Sequence, residues 1–380
     1  MASARRPHGG NATRAPLTTE AVEAAERAIG EAAASGLLPA LPDRAGKSLG
    51  ANDLMHFTDR KEPSDGPWYR LAYGRSFAGY IGGEPHWEPT VRLIAPQPPA
   101  AAPLKDALAK LGVHVGAVPW IGVPRLQVSA RKLARQAAEV LEIGHSIRHA
   151  QSEDGTITLF FKVNGQNGHY LMTSGHVATS LGKGRSGDHL SRVTAAAQGQ
   201  THNRAVAVLA AAPAGPPGNA FPQELIPVQA DYAIAKLLEG VVHRHGSLLG
   251  RKGGQAALAA VGPVPVPGVN LQPRVSKIGV GSGETSGVIS AVEVRIDILD
   301  PISGLFLRYE DQIEITPESG GVFSKEGDSG ALVFTDDLTG VAMVNAGTSK
   351  VKQGGRGTTA LTFCSRLEPI LIALGASVQL

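Results

Sequence analysis

The stretch Glu326-Gly327-Asp328-Ser329-Gly330-Ala331-Leu332-Val333-Phe334 is a run of small residues leading straight into an apolar strand. A serine hydroxyl is a poor nucleophile at neutral pH. To attack a carbonyl it needs a base, a group that orients the base, and hydrogen-bond donors where the oxyanion forms. Gly-Asp-Ser-Gly can supply the donors: glycine two positions before the serine lets the amides of Gly327 and Ser329 point at one oxygen, with no Cβ in the way of an incoming substrate. Of the 12 histidines, His176 has the most informative setting, HYLMTSGHVAT, where an apolar strand and a small-residue turn place an imidazole at a strand exit. Asp231, in QADYAIAKL, immediately precedes an alternating apolar strand that would bury its carboxylate. A buried carboxylate orients an imidazole and stabilises its protonated form. The base and its orienter thus fall in one part of the chain and the nucleophile in another, which predicts a site between two halves and acyl transfer through Ser329. This chemistry calls for no metal or cofactor.

Other residues that could do chemistry read more plainly. His243 and His245 could hold a metal as neighbours on one strand face, but the sequence shows no third ligand near them, and they are expected at the surface. Gly281-Ser282-Gly283 followed by Gly287 departs from Gly-x-Gly-x-x-Gly, and no Lys-Ser/Thr pair follows, so a β-turn is expected rather than a phosphate cradle. The single cysteine, Cys364, follows the strand TALTF and reads as a buried small hydrophobe.

The elements that must carry these residues change in texture near residue 150. Beyond it, short strands alternate with Gly-rich turns: 156–163, 169–173, 205–209 and 232–237, a density that predicts barrels or a sandwich. Two Pro/Gly-rich interruptions stand at 211–223 and 261–273, and the second could join two β-halves. The close, RLEPILIALGASV, carries Leu367, Ile370, Leu371 and Leu374 at i, i+3, i+4 and i+7, the stripe of a terminal helix docked on a core. Before residue 150, residues 1–17 read as a disordered tail. Residues 18–125 read as a small accessory α/β region, with helices over 18–36 and 104–112 and strands at 68–73 and 91–94. Residues 126–149 read as a linker helix, on the helical spacing of Leu133, Ala137, Val140 and Leu141.

Composition bounds the function classes. The chain has 380 residues, long enough for two or three domains. With 42% hydrophobic and 18% charged residues it is an ordinary globular sequence. A net charge of +3 is too small and too dispersed to argue for nucleic acid or an anionic membrane. One cysteine rules out an internal disulfide framework and leans toward a reducing, cytoplasmic setting. No stretch approaches the length of an apolar membrane span.

From about 150 to 377 the chain resembles the chymotrypsin-like (trypsin-fold) serine peptidases. TSGHVA is similar to the family's histidine motif, DYAIA to its aspartate motif and GDSGALVF to its serine motif. VAMVNAG, with Asn345, Ala346 and Gly347, is similar to the strand that in this family pairs with the substrate backbone and walls the specificity pocket, and VSKIGVGSGETSG is similar to the turn and strand that open the second barrel in bacterial members. GTITLFF, Gly187-Asp188 and the terminal helix resemble the plant narrow-leaf serine-protease-like family and its bacterial relatives. The resemblance implies a mainly β protein of two six-stranded antiparallel β-barrels, at about 150–245 and 270–365. It implies a serine endopeptidase with His176, Asp231 and Ser329 as its catalytic residues, working through an acyl-enzyme intermediate on a polypeptide substrate. The narrower likeness implies an intracellular homo-oligomer. Phe323 falls at the pocket floor of the family's layout, which implies a preference for apolar P1 residues. The alternative is a catalytically silent protease-fold scaffold that recruits a partner. In animal members a new N-terminus pairs with the Asp beside the serine. Ile81-Gly82-Gly83 echoes that N-terminus, but it lies far upstream of His176 and follows Tyr80 rather than a basic residue. Asp328 is therefore expected to be satisfied by a local backbone or basic group.

Overall fold

The computed structural model describes residues 56–61, 70–81, 84–94, 120–126, 140–150, 154–179, 184–195, 201–212, 230–249, 256–263, 273–299, 305–318, 321–348, 351–352, 358–378 and 380. The helices expected over 18–36 and 104–112 lie outside these residues. In chain order the elements used below are β1 (His56–Lys61), β2 (Arg70–Ile81), β3 (Glu84–Ile94), β4 (Leu141–Ile143), β5 (Ser146–His149), β6 (Leu159–Val163), β7 (Tyr170–Thr173) and α1 (Gly175–Thr179). They continue with β8 (His189–Ala195), β9 (Thr201–Ala211), β10 (Ala233–Leu237), β11 (His243–Leu248), β12 (Arg274–Gly279), β13 (Gly283–Leu299) and β14 (Leu305–Pro317). The last are β15 (Leu332–Thr335), β16 (Thr339–Gly347), β17 (Thr362–Arg366), α2 (Leu367–Ala373) and β18 (Ala376–Val378).

The protein is mainly β and folds as two barrel-like halves. In the second half, the antiparallel pairs run β14, β17, β16, β15, β12, β13 and back to β14, so six strands close on themselves and leave no free edge. Inward positions are β-branched or aromatic: Val275, Ile289, Ile313, Ile315, Phe323, Val333 and Val344 share one buried cluster with Cys364. Burial pushes the Cys364 thiol far up and leaves it inert. In the first half a curled sheet runs β18, β6, β7, β10, β9, β8, β5. Its cluster of Leu159, Phe160, Leu171, Leu190, Tyr232 and Ile234 also takes in Leu332, Phe334 and Met343 of the second half, so one apolar body joins the two.

Leu367, Ile370 and Leu371 of α2 and Leu374 just past its end, the residues the spacing marks, are buried, and Pro369 sits in the first turn, where a missing N–H costs nothing. β18 then returns along β6, fastening the end of the chain to the first half. The strands before residue 100 extend the second half's sheet: β2 and β3 form a hairpin, β2 pairs with β13, and β1 pairs with β14. A buried two-pronged ion pair pins this hairpin, with Arg92 Nη2 3.1 Å from Glu314 Oε1 and Nε 3.2 Å from Oε2. Leu141–Ile143 and Ser146–His149 are strands within the stretch 126–149 expected as a linker helix. Pairing with β11 overrides local propensity in the first of them.

Between β4 and β5, His145 is buried and its Nδ1 accepts a hydrogen bond from the Glu142 amide at 2.8 Å. Burial and the nearby Arg192 lower its pKa from 6.5 to about 3. In the folded protein it is neutral well below the pH at which the unfolded chain binds a proton. Stability is therefore unaffected above 6.5 and falls as pH drops from 6.5 toward 3. At pH 4.5 the loss from this residue is about 2–3 kcal/mol. His145→Asn keeps an acceptor and cannot protonate in that range. Urea unfolding at pH 7.5 and 4.5 should show a smaller acid-side loss in the variant than in the wild type.

Candidate active site

β7 and the turn after it deliver His176 at the start of the single-turn helix α1. Gly175 is there for space: a Cβ on it would sit 2.7 Å from Asp231 Oδ1. Asp231 stands just before β10, which pairs with β7 in the register Thr173↔Ala233, so the two strand ends meet. The Asp231 carboxylate takes both donors His176 offers, the backbone amide at 2.9 Å on Oδ1 and ring Nδ1 on Oδ2. With Nδ1–H committed to the carboxylate, Nε2 is left as the acceptor, and it lies 2.8 Å from Ser329 Oγ. Asp231, His176 and Ser329 are all buried. The structure brings these three together across the two halves.

The turn that carries Ser329 is held from two sides. Gly327 and Gly330 have φ of +89° and +86°, the left-handed region where a side chain is strained. A Cβ on Gly330 would also collide with the Thr156 carbonyl oxygen. From the first half, Thr156 Oγ1 donates to the Gly327 carbonyl at 2.9 Å, the Thr156 amide to the Ser329 carbonyl at 2.7 Å, and Thr158 Oγ1 to the Gly330 carbonyl at 2.6 Å. Ser174 Oγ donates to the Val344 carbonyl at 3.0 Å, tying the segment before His176 to β16.

Asp328 fixes the turn from the other side. Its carboxylate accepts from the amides of Gly281 at 2.8 Å, Ser282 at 3.1 Å and Lys325 at 2.8 Å, and from Ser282 Oγ at 2.5 Å. Lys277 Nζ lies 2.9 Å from Oδ2, and both side chains are fully buried. Burial pushes the Lys277 ammonium below its ordinary range, while Asp328 pulls it back up. Nζ is also satisfied by Ser282 Oγ at 2.6 Å and the Gly283 carbonyl at 3.0 Å. This arrangement occupies the place that the family resemblance gave to a new N-terminus. The Glu326 carbonyl points at Gly281, where a Cβ would collide with it. Because the peptide is planar and trans, the Gly327 N–H points the opposite way, away from Gly281.

Phe323, expected at a pocket floor, is wholly buried in the apolar cluster of the second half, and its carbonyl accepts from Thr285 Oγ1 at 2.6 Å. Asn345, Ala346 and Gly347 lie on β16 beside the serine: the Asn345 carbonyl is 3.3 Å from Ser329 Oγ, and its side-chain amide donates to Gln312 Oε1 at 2.9 Å and Ser365 Oγ at 2.5 Å. Gly281 and Ser282 form the expected β-turn, with both amides turned onto Asp328. His243 and His245, expected at the surface, are half-buried, because β11 packs against β6 and brings them to His169. Sequence reasoning missed the roles of Lys277, Thr156 and Thr158. Lys277 had a signal: Val275, Lys277 and Gly279 share one face of an alternating strand, and a lysine in that row must be paired inside.

No family model and no curated protein matches this chain. Solved structures do. The chymotrypsin of Cellulomonas bogoriensis is 20% identical with a TM-score of 0.39, covering 63% of this chain and 99% of that one. A glutamic-acid-specific serine protease described as using a histidine triad in substrate binding is 17% identical with a TM-score of 0.40, covering 63% and 100%. Protease A of Thermobifida fusca is 14% identical with a TM-score of 0.39, covering 63% and 98%. These neighbours are chymotrypsin-like serine proteases. At such identities the likeness concerns the fold, which the closed and curled sheets described above define on their own.

Proposed function

We propose that this chain is a serine endopeptidase acting through His176, Asp231 and Ser329. The observation that carries the reading is the unbroken relay from Asp231 through His176 to Ser329 Oγ, with the imidazole held in the tautomer that accepts the serine proton. Ser329 Oγ attacks the scissile carbonyl while His176 Nε2 takes its proton, and Asp231 stays ionised and stabilises the imidazolium. The amides of Gly327 and Ser329 receive the oxyanion; a Gly327 N–H turned away from Gly281 supports that role. The imidazolium then protonates the leaving amine. A water activated by the same base hydrolyses the acyl-enzyme.

The substrate is a polypeptide with an apolar P1 side chain, pairing with β16 at Ala346–Gly347, an edge that Arg125–Leu126 covers in this structure and must vacate. A peptide library read by mass spectrometry should give cleavage after apolar residues. A profile dominated by Arg or Lys at P1 overturns the specificity, and no cleavage of any peptide overturns the activity.

A second reading is favoured by one observation: Ser329 has 0% exposure, and its hydroxyl also reaches the Asn345 carbonyl. In that reading the site is occluded and the chain is a protease-fold scaffold. The two differ in whether Ser329 can be reached by a reactive electrophile.

A further inference from the structure

His243 and His245 stand two positions apart on β11 and so point to the same face. That face meets His169, the residue immediately before β7. The ring centroids of His169 lie 4.8 Å from those of both His243 and His245, which are 4.4 Å from each other. Each ring offers one nitrogen, and the three nitrogens lie within 4.8 Å of one another. His169 Nδ1, His243 Nε2 and His245 Nδ1 are buried and have no hydrogen-bond partner among the described residues. Three buried polar atoms left unsatisfied in one place are costly unless something binds there. His243 Nδ1 lies 3.5 Å from the Val241 carbonyl, so its proton belongs on Nδ1 and its Nε2 lone pair faces the other two rings. A ring N–H given to a backbone carbonyl is the usual support of a metal-bound histidine.

We propose that His169, His243 and His245 form a binding site for a borderline divalent transition-metal ion, Zn²⁺ foremost, with water as the fourth ligand. Three imidazoles with no carboxylate in the group suit Zn²⁺, Co²⁺ or Ni²⁺ and do not suit Ca²⁺ or Mg²⁺, which take oxygen. Tetrahedral Zn–N bonds of about 2.0–2.1 Å need nitrogens about 3.4 Å apart, a spacing that modest ring rotations reach from here. The rings are also poised as neutral ligands. Burial lowers the pKa of all three; Lys162 adds to this at His169, His245 and His169 add to it at His243, and His169 and then Lys162 add to it at His245. The Phe160 ring, 5.1 Å from His243, walls one side. His169 and His176 flank opposite ends of β7. Five steps of extended chain at about 3.3 Å each separate His169 from Ser174, so the site is distinct from the one around Ser329. A bound ion would clasp β11 to the start of β7, where His169 stands.

The test uses the full chain without an affinity tag, stripped with chelator and titrated with Zn²⁺ by calorimetry and with Co²⁺ by absorbance. The expected result is one ion per chain, tetrahedral Co²⁺ bands, and a thermal midpoint that rises with Zn²⁺. His169→Asn and the pair His243→Asn/His245→Asn should each weaken Zn²⁺ at least about a hundredfold while keeping the metal-free midpoint. His176→Gln should bind as the wild type does. Absence of Zn²⁺ binding by the wild type at micromolar concentration overturns the site, whatever the variants do. So does unchanged affinity in the His169 and His243/His245 variants, or loss of the ion in His176→Gln.

Discussion

Ser329→Ala is expected to lower peptide turnover by about 10⁶ with little change in the thermal midpoint. The substitution removes one oxygen whose partners are His176 Nε2 and the Asn345 carbonyl. The turn itself stays held by Asp328 and by donors from Thr156 and Thr158, none of which needs the hydroxyl. His176→Ala should cost about as much, and the double variant no more than either alone, because a nucleophile without its base and a base without its nucleophile are equally idle. Steady-state kinetics on a peptide drawn from the library profile measures all three. Ser329→Ala activity within tenfold of the wild type would mean that the nucleophile lies elsewhere.

Lys277→Met is expected to be the most destabilising change near the site, at about 3–5 kcal/mol, because it leaves the Asp328 carboxylate buried without its cation. Methionine approximates the stem of lysine, so apolar packing of the buried stem is not the main loss. The amides of Gly281, Ser282 and Lys325 remain as donors, but none of them neutralises the charge. With the anchor weakened, the turn bearing Gly327 loosens, and kcat should fall more than KM rises. Adding Asp328→Asn in the same chain should recover part of the lost stability, since a neutral amide needs no counter-charge. A double-mutant cycle in urea measures that coupling. Equal unfolding free energies for wild type and Lys277→Met would show that the amides alone hold the turn.

Strand alternation and turn chemistry announced a mainly β protein, and the i, i+3, i+4, i+7 stripe of Leu367, Ile370, Leu371 and Leu374 gave the terminal helix, because these signals are local. The motifs around His176, Asp231 and Ser329 nominated residues that the fold brings within hydrogen-bonding reach. The supports were harder to see. Thr156 and Thr158 act on the Gly327–Gly330 turn across more than 170 residues of chain, and nothing in their own neighbourhood marks them. The third histidine was missed for the same reason: His169 precedes β7 while His243 and His245 lie on β11, and only the packing of β11 on β6 brings the rings together. β1–β3 read as part of a separate small region, yet they add to the second half's sheet through pairings that no local pattern records.

The most direct measurement is covalent labelling with a fluorophosphonate, which reacts only with a serine whose proton can pass to an assembled base, read by intact mass and peptide mapping. One adduct per chain is expected, on Ser329, absent from Ser329→Ala and His176→Ala. Persistent failure of the folded wild-type chain to label at Ser329 would contradict it and favour the occluded scaffold.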